Sequence, residues 1–443
     1  MKTKNEKFKE SRRGFVKNST LLSAGLIMPV TGIEGMVNIF NEKKLKIALV
    51  GCGGRGSGAI NQALQADDNV ELVAMADAFE DRLSSSFNNL YEAYKGTGKV
   101  NVKESNKFYG FDAYKKAIDL ADVVILATPP GFRPYHFAYA IENGKHVFME
   151  KPVATDAPGV RKVLETAQLA KEKKLNVVVG LQRRYQENYI KTLETLKSGA
   201  IGKIVSGQVY WNSAGVWVRP RQSGQTELEY QMRNWYYFNW LCGDHILEQH
   251  IHNIDVANWF IGEYPISAQG MGGRLVRNGI DHGEIFDHHF VEFKYPSGAV
   301  ISSQCRHQPN TMSKVGEVFQ GTKGTVETND AGAAKIFDFD RKELFNITNS
   351  EGHNPYQEEH NRLFASIREK GVINNAEYGA KSTMSAILGR MATYSGKEVT
   401  WDDAIKSELR LMPEEMTWDS LSPTLPDSNG RYAIPVPGKT IVI

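Results

Sequence analysis

The sequence predicts an α/β protein with an N-terminal doubly wound parallel sheet and a C-terminal α+β domain that has a large, mostly antiparallel open sheet. Three observations support this prediction. Short aliphatic runs alternate with helical segments up to about residue 175, which is typical of a parallel sheet with helices between its strands. A glycine-rich loop directly follows the first of these runs. After residue 202, longer β-rich segments dominate, and these are typical of antiparallel strands with one solvated face.

The predicted elements follow one another along the chain. In the first half, strands are expected at 45–50, 70–76, 123–127, 146–149 and 176–180. In the second half, strands are expected at 204–211, 266–271, 286–295 and 299–304, and helices at 186–198, 245–260, 356–370 and 380–393. We therefore divide the chain into an export signal and linker (1–43), a nucleotide-binding domain (44–175), a substrate and oligomerisation domain (176–400) and a surface-wrapping tail (401–443).

Composition excludes several classes of function. The formal net charge of +2 over 443 residues argues against a nucleic acid as partner. The basic surplus lies in residues 1–44, which hold nine Lys/Arg and four Asp/Glu. Cys52, Cys242 and Cys305 form neither a disulfide framework nor a zinc-type CxxC pair. After the leader, no apolar run of about 18 residues predicts a membrane span.

A glycine-rich loop follows the first predicted strand and opens a helix; it consists of Gly51, Cys52, Gly53, Gly54, Arg55 and Gly56. This is the arrangement of a dinucleotide-binding turn. Gly51 permits the tight turn, Gly53 lets the backbone approach a pyrophosphate, and Gly56 lets the helix pack closely on the strand. Asp77 ends the second predicted strand, where a carboxylate accepts hydrogen bonds from ribose hydroxyls and repels a 2′-phosphate. We therefore expect NAD rather than NADP, with Arg55 and Gly54 also at the cofactor.

Residues 44–400 resemble the glucose–fructose oxidoreductase and inositol dehydrogenase family (Gfo/Idh/MocA). The resemblance is carried by the glycine loop, Asp77, the run Ala127-Thr128-Pro129-Pro130 and the tripeptide Glu150-Lys151-Pro152. It implies a Rossmann domain whose NAD is contacted by Thr128, Pro129, Glu150 and Lys151, and an open sheet that forms dimer or tetramer interfaces. It also implies that Lys151 lies beside the nicotinamide and stabilises developing alkoxide charge on the substrate. The alternative for Lys151 is a solvated surface lysine.

A second set of polar residues lies in the predicted helix 245–260. Glu248, His252 and Asp255 are spaced four and three residues apart, so on a continuous helix they share one face. A carboxylate beside an imidazole can handle a proton. The resemblance implies that His252 is the general base for the hydroxyl proton and that Glu248, where many members have Asp, orients the substrate or the base.

Two other interpretations of this helix stay open. Some of its polar side chains, His245 and His250 in particular, would satisfy hydrogen bonds in the core. His245, Glu248 and His252 could instead gather on a divalent metal ion. An HExxH motif is absent and the resemblance implies no metal, so we expect no metal site.

Further residues are expected to contact the substrate, because aromatic faces and polar donors suit the C–H faces and hydroxyls of a sugar. They are Arg184, Tyr185, Trp211, Arg233, Asn234, Trp235 and Asp255. The alternative for the aromatic residues is a place in the core of a β-rich domain.

Taken together, these residues predict an NAD-dependent enzyme that removes hydride from a secondary hydroxyl of a sugar, glycoside or polyol and retains its cofactor. One alternative is a glycosidase that acts by oxidation, elimination and re-reduction. Another is a non-catalytic sugar-binding protein that keeps the nucleotide as a structural element. The presence of Lys151 and His252 favours an enzyme.

The first 30 residues have the layout of an export signal. The run Ser11-Arg12-Arg13-Gly14-Phe15-Val16-Lys17 precedes an apolar stretch at 21–30, and a charged start followed by a short apolar region is typical of such signals. The run resembles the twin-arginine signal, which has Leu in the place of Val16 and carries folded proteins. We therefore expect a periplasmic or otherwise exported protein; the alternative is a disordered basic tail.

Replacing both leader arginines, Arg12→Lys with Arg13→Lys, should leave the protein in the cytoplasm, because the arginine pair is the expected recognition element. Cell fractionation measures this, with Lys9→Arg outside the run as the matched control that is exported normally. A double variant that fractionates like the unaltered protein would contradict the twin-arginine prediction.

Overall fold

A computed structural model describes residues 43–413 and 415–443. The predicted export signal lies outside the described residues. Residues 44–443 form one unit. Within the described chain, no helix is both long and apolar enough to cross a bilayer.

The first sheet is built from six short strands: β1 (Leu45–Val50), β2 (Val70–Asp77), β3 (Lys107–Tyr109), β4 (Val123–Leu126), β5 (His146–Met149) and β6 (Val177–Val179). They are all parallel, in the order β3-β2-β1-β4-β5-β6. Five helices alternate with them: α1 (Gly54–Ala66), α2 (Glu80–Ala93), α3 (Ala113–Asp119), α4 (Arg133–Glu142) and α5 (Ala157–Glu172). The central strands are almost wholly aliphatic and buried, as expected for a sheet covered on both faces. The predicted doubly wound sheet is confirmed.

Helix α6 (Glu187–Lys197) leads into a second sheet. Its nine strands are β7 (Ile204–Ser213), β8 (Ser267–Gly273), β9 (His288–Lys294), β10 (Val300–His307), β11 (Lys314–Gly321), β12 (Gly324–Asn329), β13 (Ala333–Asp338), β14 (Glu343–Thr348) and β15 (Val399–Thr400). Their order is β14-β13-β12-β11-β7-β10-β9-β8-β15. Only the β7–β10 pair of this sheet is parallel, so the predicted, mostly antiparallel sheet is confirmed. Strands β11 to β14 were not among the predicted strands.

Seven further helices complete the described chain. Four lie between β7 and β8: α7 (Glu227–Arg233), α8 (Asn239–Cys242), α9 (His245–Glu248) and α10 (Ile251–Ile261). Three follow β14: α11 (Pro355–Arg368), α12 (Ala376–Ser395) and α13 (Trp401–Lys406).

The predicted single helix over 245–260 is wrong, because the chain breaks between α9 and α10. At the break, the side chains of Gln249 and His250 form hydrogen bonds to strand β10. The Gln249 amide oxygen lies 2.6 Å from Nε2 of His307, and Nε2 of His250 lies 2.7 Å from the Ser303 hydroxyl. Glu248, His252 and Asp255 therefore do not share one continuous helix face.

The predicted domain boundary at 175 also needs correction. Strand β6 pairs with β5, so it belongs to the first sheet and not to the second domain. In addition, α11 returns to the first sheet, where Leu363 and Phe364 share one apolar cluster with Ile47 of β1 and Phe148 of β5. The second half of the chain therefore forms its own sheet and also covers one face of the first sheet.

Candidate active site

A cleft of about 480 Å³ opens at the carboxyl ends of β1, β2 and β4. From β1, the strands β2 and β3 are added on one side of the first sheet, and β4, β5 and β6 are added on the other side. Doubly wound sheets bind ligands at the point where this order reverses, which here lies between β1 and β4. One wall is formed by the glycine loop with Asp77, Thr128 and Pro129. The other wall comes from the chain between β7 and α10 and includes Trp217, Arg219, Arg233, Trp235, Tyr236, Glu248 and Gln249.

The glycine loop has the geometry that a pyrophosphate needs. Gly51 has a φ of 97°, and a Cβ there would lie 2.5 Å from the carbonyl carbon of Ala127. A Cβ on Gly56 would lie 1.9 Å from the carbonyl oxygen of Gly51, so this glycine permits the close packing of α1. By contrast, a Cβ on Gly53 or Gly54 would meet no atom within 4 Å. These two residues therefore face open space at the N-terminus of α1, whose N–H groups suit an anion.

Asp77 lies at the carboxyl end of β2. Its carboxylate accepts hydrogen bonds from the backbone N–H groups of Cys52 at 2.6 Å and Phe79 at 2.9 Å. Burial raises the pKa of Asp77, while these two donors and the nearby Arg82 oppose the shift. Each oxygen keeps a second lone pair that can accept a ribose hydroxyl.

Two arginines line the same end of the cleft as Asp77. They are Arg82 on α2 and Arg219 after β7. Neither forms an ion pair within 43–413 or 415–443. The pKa of Arg219 is lowered by burial and by the charges of Arg82 and Arg233, so positive charge accumulates here. The sequence had not indicated Arg82, although it follows Asp77 closely on the next helix.

Helix α7 and the C-terminal tail cover this end of the cleft. Arg233 donates to both oxygens of Asp81 at 3.1 and 3.0 Å, and its guanidinium lies 4.0 Å from the ring centre of Phe79. In the tail, the Trp418 ring lies 5.3 Å from Phe79 and 4.7 Å from Phe111. The predicted substrate residue Arg233 is therefore placed at the Asp77 end, where it links the two halves of the chain.

Several predicted cofactor residues form hydrogen bonds or ion pairs with other residues of the protein. The Thr128 carbonyl accepts from Arg133 at 2.6 Å. Arg55 is bound by protein groups: its Nε lies 2.9 Å from the buried Glu150 carboxylate, and another guanidinium nitrogen lies 2.5 Å from Gln62. The structure thus places Arg55 and Glu150 together beside the glycine loop.

Lys151 follows β5, and its ammonium group is held by a residue of the second half. Its Nζ donates to the backbone carbonyl of Glu248 at 2.5 Å and to the Glu248 carboxylate at 3.1 Å. The carbonyl is available because His252 N donates to Gln249 instead, at 3.3 Å. Both side chains are mostly buried, with 14% and 16% exposure. Lys151 is therefore not a solvated surface lysine.

His252 lies on the first turn of α10. Its ring stacks on Trp211 of β7 with a centroid distance of 5.9 Å, and its buried Nδ1 has no partner in the described chain. Burial, together with the charges of Lys151 and Arg183, holds the pKa of His252 well below its ordinary value. The imidazole is therefore neutral at physiological pH, which is the form that accepts a proton.

Other predicted substrate residues bond to the protein and do not line the cleft. Arg184 forms two hydrogen bonds of 2.8 Å with Asp255, and the Tyr185 hydroxyl donates to Asn375 at 2.6 Å. Asn234 is buried, and its amide oxygen accepts from the backbone of Arg219 at 2.9 Å. Of the predicted substrate set, the cleft wall contains Arg233 and Trp235.

The residues of the alternative metal set, His245, Glu248 and His252, do not form a cluster. Among residues 43–413 and 415–443, the three side chains with metal-ligand spacing are Asp244, His245 and His289. The Asp244 carboxylate already accepts from the backbone and ring of His245, from Phe286 N and from the Tyr394 hydroxyl. These four donors fill the lone pairs of the carboxylate. We therefore interpret Asp244, His245 and His289 as a hydrogen-bonded cluster with a structural role at the start of α9.

Known proteins match this chain in both halves. Residues 45–181 match the model for an oxidoreductase family with an NAD-binding Rossmann fold, and residues 189–327 match the Gfo/Idh/MocA C-terminal domain. Inositol 2-dehydrogenase of Rhizobium meliloti is 25% identical over 66% of this chain and 78% of its own. The 2,7-anhydro-N-acetylneuraminate hydratase of Escherichia coli is 26% identical over 49% of this chain and 55% of its own.

Solved structures show the same fold. Scyllo-inositol dehydrogenase from Lactobacillus casei, with bound NAD(H) and scyllo-inositol, superposes with a TM-score of 0.60 at 19% identity, over 81% of this chain and 100% of its own. Together with the two family models, which cover the glycine loop, the first sheet and strands β7 to β11 of the second sheet, this identifies the architecture. The chain belongs to the Gfo/Idh/MocA oxidoreductase family and carries that family's NAD-binding Rossmann domain.

Proposed function

We propose that this protein is an NAD-dependent oxidoreductase that removes hydride from a secondary hydroxyl of a sugar, glycoside or polyol. The observation that carries the proposal is the contact of the Lys151 ammonium group with Glu248, a residue that lines the dinucleotide cleft. Relatives named inositol 2-dehydrogenase support the substrate class.

The side chains of Lys151, His252 and Glu248 can carry the proton chemistry. NAD, when bound, supplies the carbon that accepts the hydride. The Lys151 ammonium donates a hydrogen bond to the reacting oxygen and stabilises the negative charge that develops there. The neutral His252 imidazole accepts the hydroxyl proton. Glu248 holds Lys151 through its carbonyl and its carboxylate.

A second candidate is a glycosidase that oxidises, eliminates and reduces again. It shares the same first step, the oxidation of a hydroxyl. The relative named 2,7-anhydro-N-acetylneuraminate hydratase supports this candidate, because a hydration is redox-neutral overall. One experiment separates the candidates: the protein is incubated with myo-inositol, glucose, methyl β-glucoside and nitrophenyl glycosides. NADH absorbance indicates oxidation, and nitrophenol release without NADH indicates cleavage. Absence of both would leave a nucleotide-containing binding protein.

We also propose that the nucleotide stays bound through the catalytic cycle. An exported enzyme meets little free NAD, and α7 and the tail cover the Asp77 end of the cleft through the Arg233–Asp81 and Trp418–Phe79 contacts. Such an enzyme returns its hydride either to a second carbonyl compound, which is a ping-pong scheme, or to the same molecule after elimination, which makes the reaction redox-neutral within one substrate. Export by the twin-arginine route and assembly into a dimer or tetramer stay predictions.

Lys151→Ala and His252→Ala should each lower kcat by about 10²–10⁴-fold, the usual contribution of a general acid or base. Glu248→Gln should be milder, because the backbone carbonyl still holds Lys151. Steady-state kinetics on the best substrate of the panel, with a second carbonyl compound as hydride acceptor, measures this, with thermal melting and nucleotide content as checks on folding. His360→Gln, a buried histidine of α11 outside the cleft, is the matched control. Full activity in both alanine variants would return Lys151 and His252 to structural roles.

Asp77→Ser should raise the preference for NADP over NAD by about tenfold to a hundredfold, because it removes a carboxylate that repels a 2′-phosphate. No new arginine is needed, since Arg82 and Arg219 already line that end of the cleft. The ratio of kcat/KM values for the two nucleotides, added to protein stripped of its own, measures the change. Adding Arg82→Ala to the variant should reverse it. An unchanged ratio in Asp77→Ser would contradict the assigned position of the ribose.

The dialysed protein should release a stoichiometric amount of NAD on denaturation. Arg233→Ala should accelerate exchange with labelled NAD about two- to fivefold, the effect expected for loss of a partly exposed ion pair. Arg362→Ala, which breaks an exposed pair with Glu358 on α11, is the control and should not change exchange. Protein that purifies without nucleotide would instead indicate a dehydrogenase with a dissociable cofactor.

A further inference from the structure

Tyr236 differs from the other buried tyrosines of the described chain. Its side chain is 2% exposed, and its hydroxyl has no hydrogen-bond partner in residues 43–413 or 415–443. The hydroxyls of the other buried tyrosines are all bonded; these are Tyr189, Tyr230, Tyr237, Tyr295, Tyr394 and Tyr432. An unsatisfied buried hydroxyl is costly, so a ligand is the expected partner of the Tyr236 hydroxyl.

The position of Tyr236 indicates which ligand this is. It lines the dinucleotide cleft, as do Glu248 and Gln249, and its ring partner His307 bonds to Gln249. Burial raises the pKa of Tyr236 well above its ordinary value, and the charge of Glu248 adds to this shift. The phenol therefore stays protonated and can donate a hydrogen bond. The Tyr236 hydroxyl thus lies at the end of the cleft where Glu248 holds Lys151.

The ring of Tyr236 is fixed before any ligand arrives. It stacks on His307 at 5.8 Å, and His307 is itself held by Gln249 at 2.6 Å and Arg277 at 3.1 Å. On its other side, Trp217 lies 6.0 Å away in an edge-to-face arrangement. A ring held in this way places its hydroxyl with little loss of entropy when a ligand binds.

We propose that the Tyr236 hydroxyl binds a second hydroxyl of the substrate, on the carbon next to the one that is oxidised. This inference rests on the proposed function and narrows its substrate class to vicinal diols. Lys151 contacts the reacting oxygen and is held by Glu248. The ring of Tyr236 stacks on His307, the partner of the adjacent Gln249, so a neighbouring hydroxyl of the same substrate ring can reach the phenol. Tyr236 is accordingly a specificity-determining residue, since a site built to pair with a hydroxyl rejects an analogue that lacks it.

The test compares methyl β-glucoside with its 2-deoxy, 3-deoxy and 4-deoxy derivatives in the unaltered protein and in Tyr236→Phe. In the unaltered protein, one deoxy derivative whose reacting hydroxyl is intact should have a kcat/KM about tenfold below that of methyl β-glucoside, the effect of one neutral hydrogen bond. Tyr236→Phe should lower kcat/KM for methyl β-glucoside by the same factor and leave that derivative unchanged. Equal losses for both compounds, or no loss for either, would overturn the proposal.

Tyr237→Phe is the matched control. The Tyr237 hydroxyl already donates to the Trp217 carbonyl at 2.9 Å, so this variant should lower the melting temperature without changing the ratio between the two compounds. A protein that oxidises none of the sugars counts against the proposed function itself. A protein that oxidises them but loses activity uniformly in Tyr236→Phe counts only against the role of Tyr236.

Discussion

The backbone carbonyl of Glu248 fixes the ammonium group of Lys151, and no helical N–H competes for this oxygen because the helix breaks after Glu248. In a continuous helix, this oxygen would accept the N–H of His252. Here that N–H donates to Gln249, and Lys151 takes the Glu248 carbonyl at 2.5 Å. A lysine has a flexible side chain that loses much entropy when it is ordered. Two acceptors on one residue restrict that freedom before a substrate binds, which is the condition for efficient electrostatic stabilisation.

Contacts to the second sheet accompany the break, and a buried carboxylate starts the helix that precedes it. Gln249 and His250 bond to β10, and Asp244 sets the start of α9 with a φ of 75°, which is costly for a residue other than glycine. Four hydrogen bonds from His245, Phe286 and Tyr394 compensate that cost. The first sheet thus supplies Lys151 and the dinucleotide loop, and the second half supplies the groups that orient Lys151. Neither half contains the site alone.

The local parts of the site could be predicted from the sequence, and the tertiary parts could not. The glycine loop and Asp77 are set by backbone requirements of a few neighbouring residues, and the structure places them as expected at the cleft. The helix break could not be foreseen, because it is caused by side-chain bonds to β10, a strand distant in sequence. The same holds for the ion pair between Arg184 and Asp255, since each of these residues was predicted separately to contact the substrate. Strands β11 to β14 carry many polar residues on short segments such as Gly324–Asn329, so their apolar pattern is weak.

We propose that hydride passes from a sugar carbon to a nicotinamide that remains in this cleft. The most direct measurement supplies the dialysed protein with glucose or methyl β-glucoside deuterated at every ring carbon, without added nucleotide, and then analyses the denatured mixture by mass spectrometry. We expect the released nucleotide to be NADH carrying one deuterium on the nicotinamide ring, and Lys151→Ala to release unlabelled NAD. Unlabelled nucleotide from the unaltered protein, or none at all, would contradict the proposal.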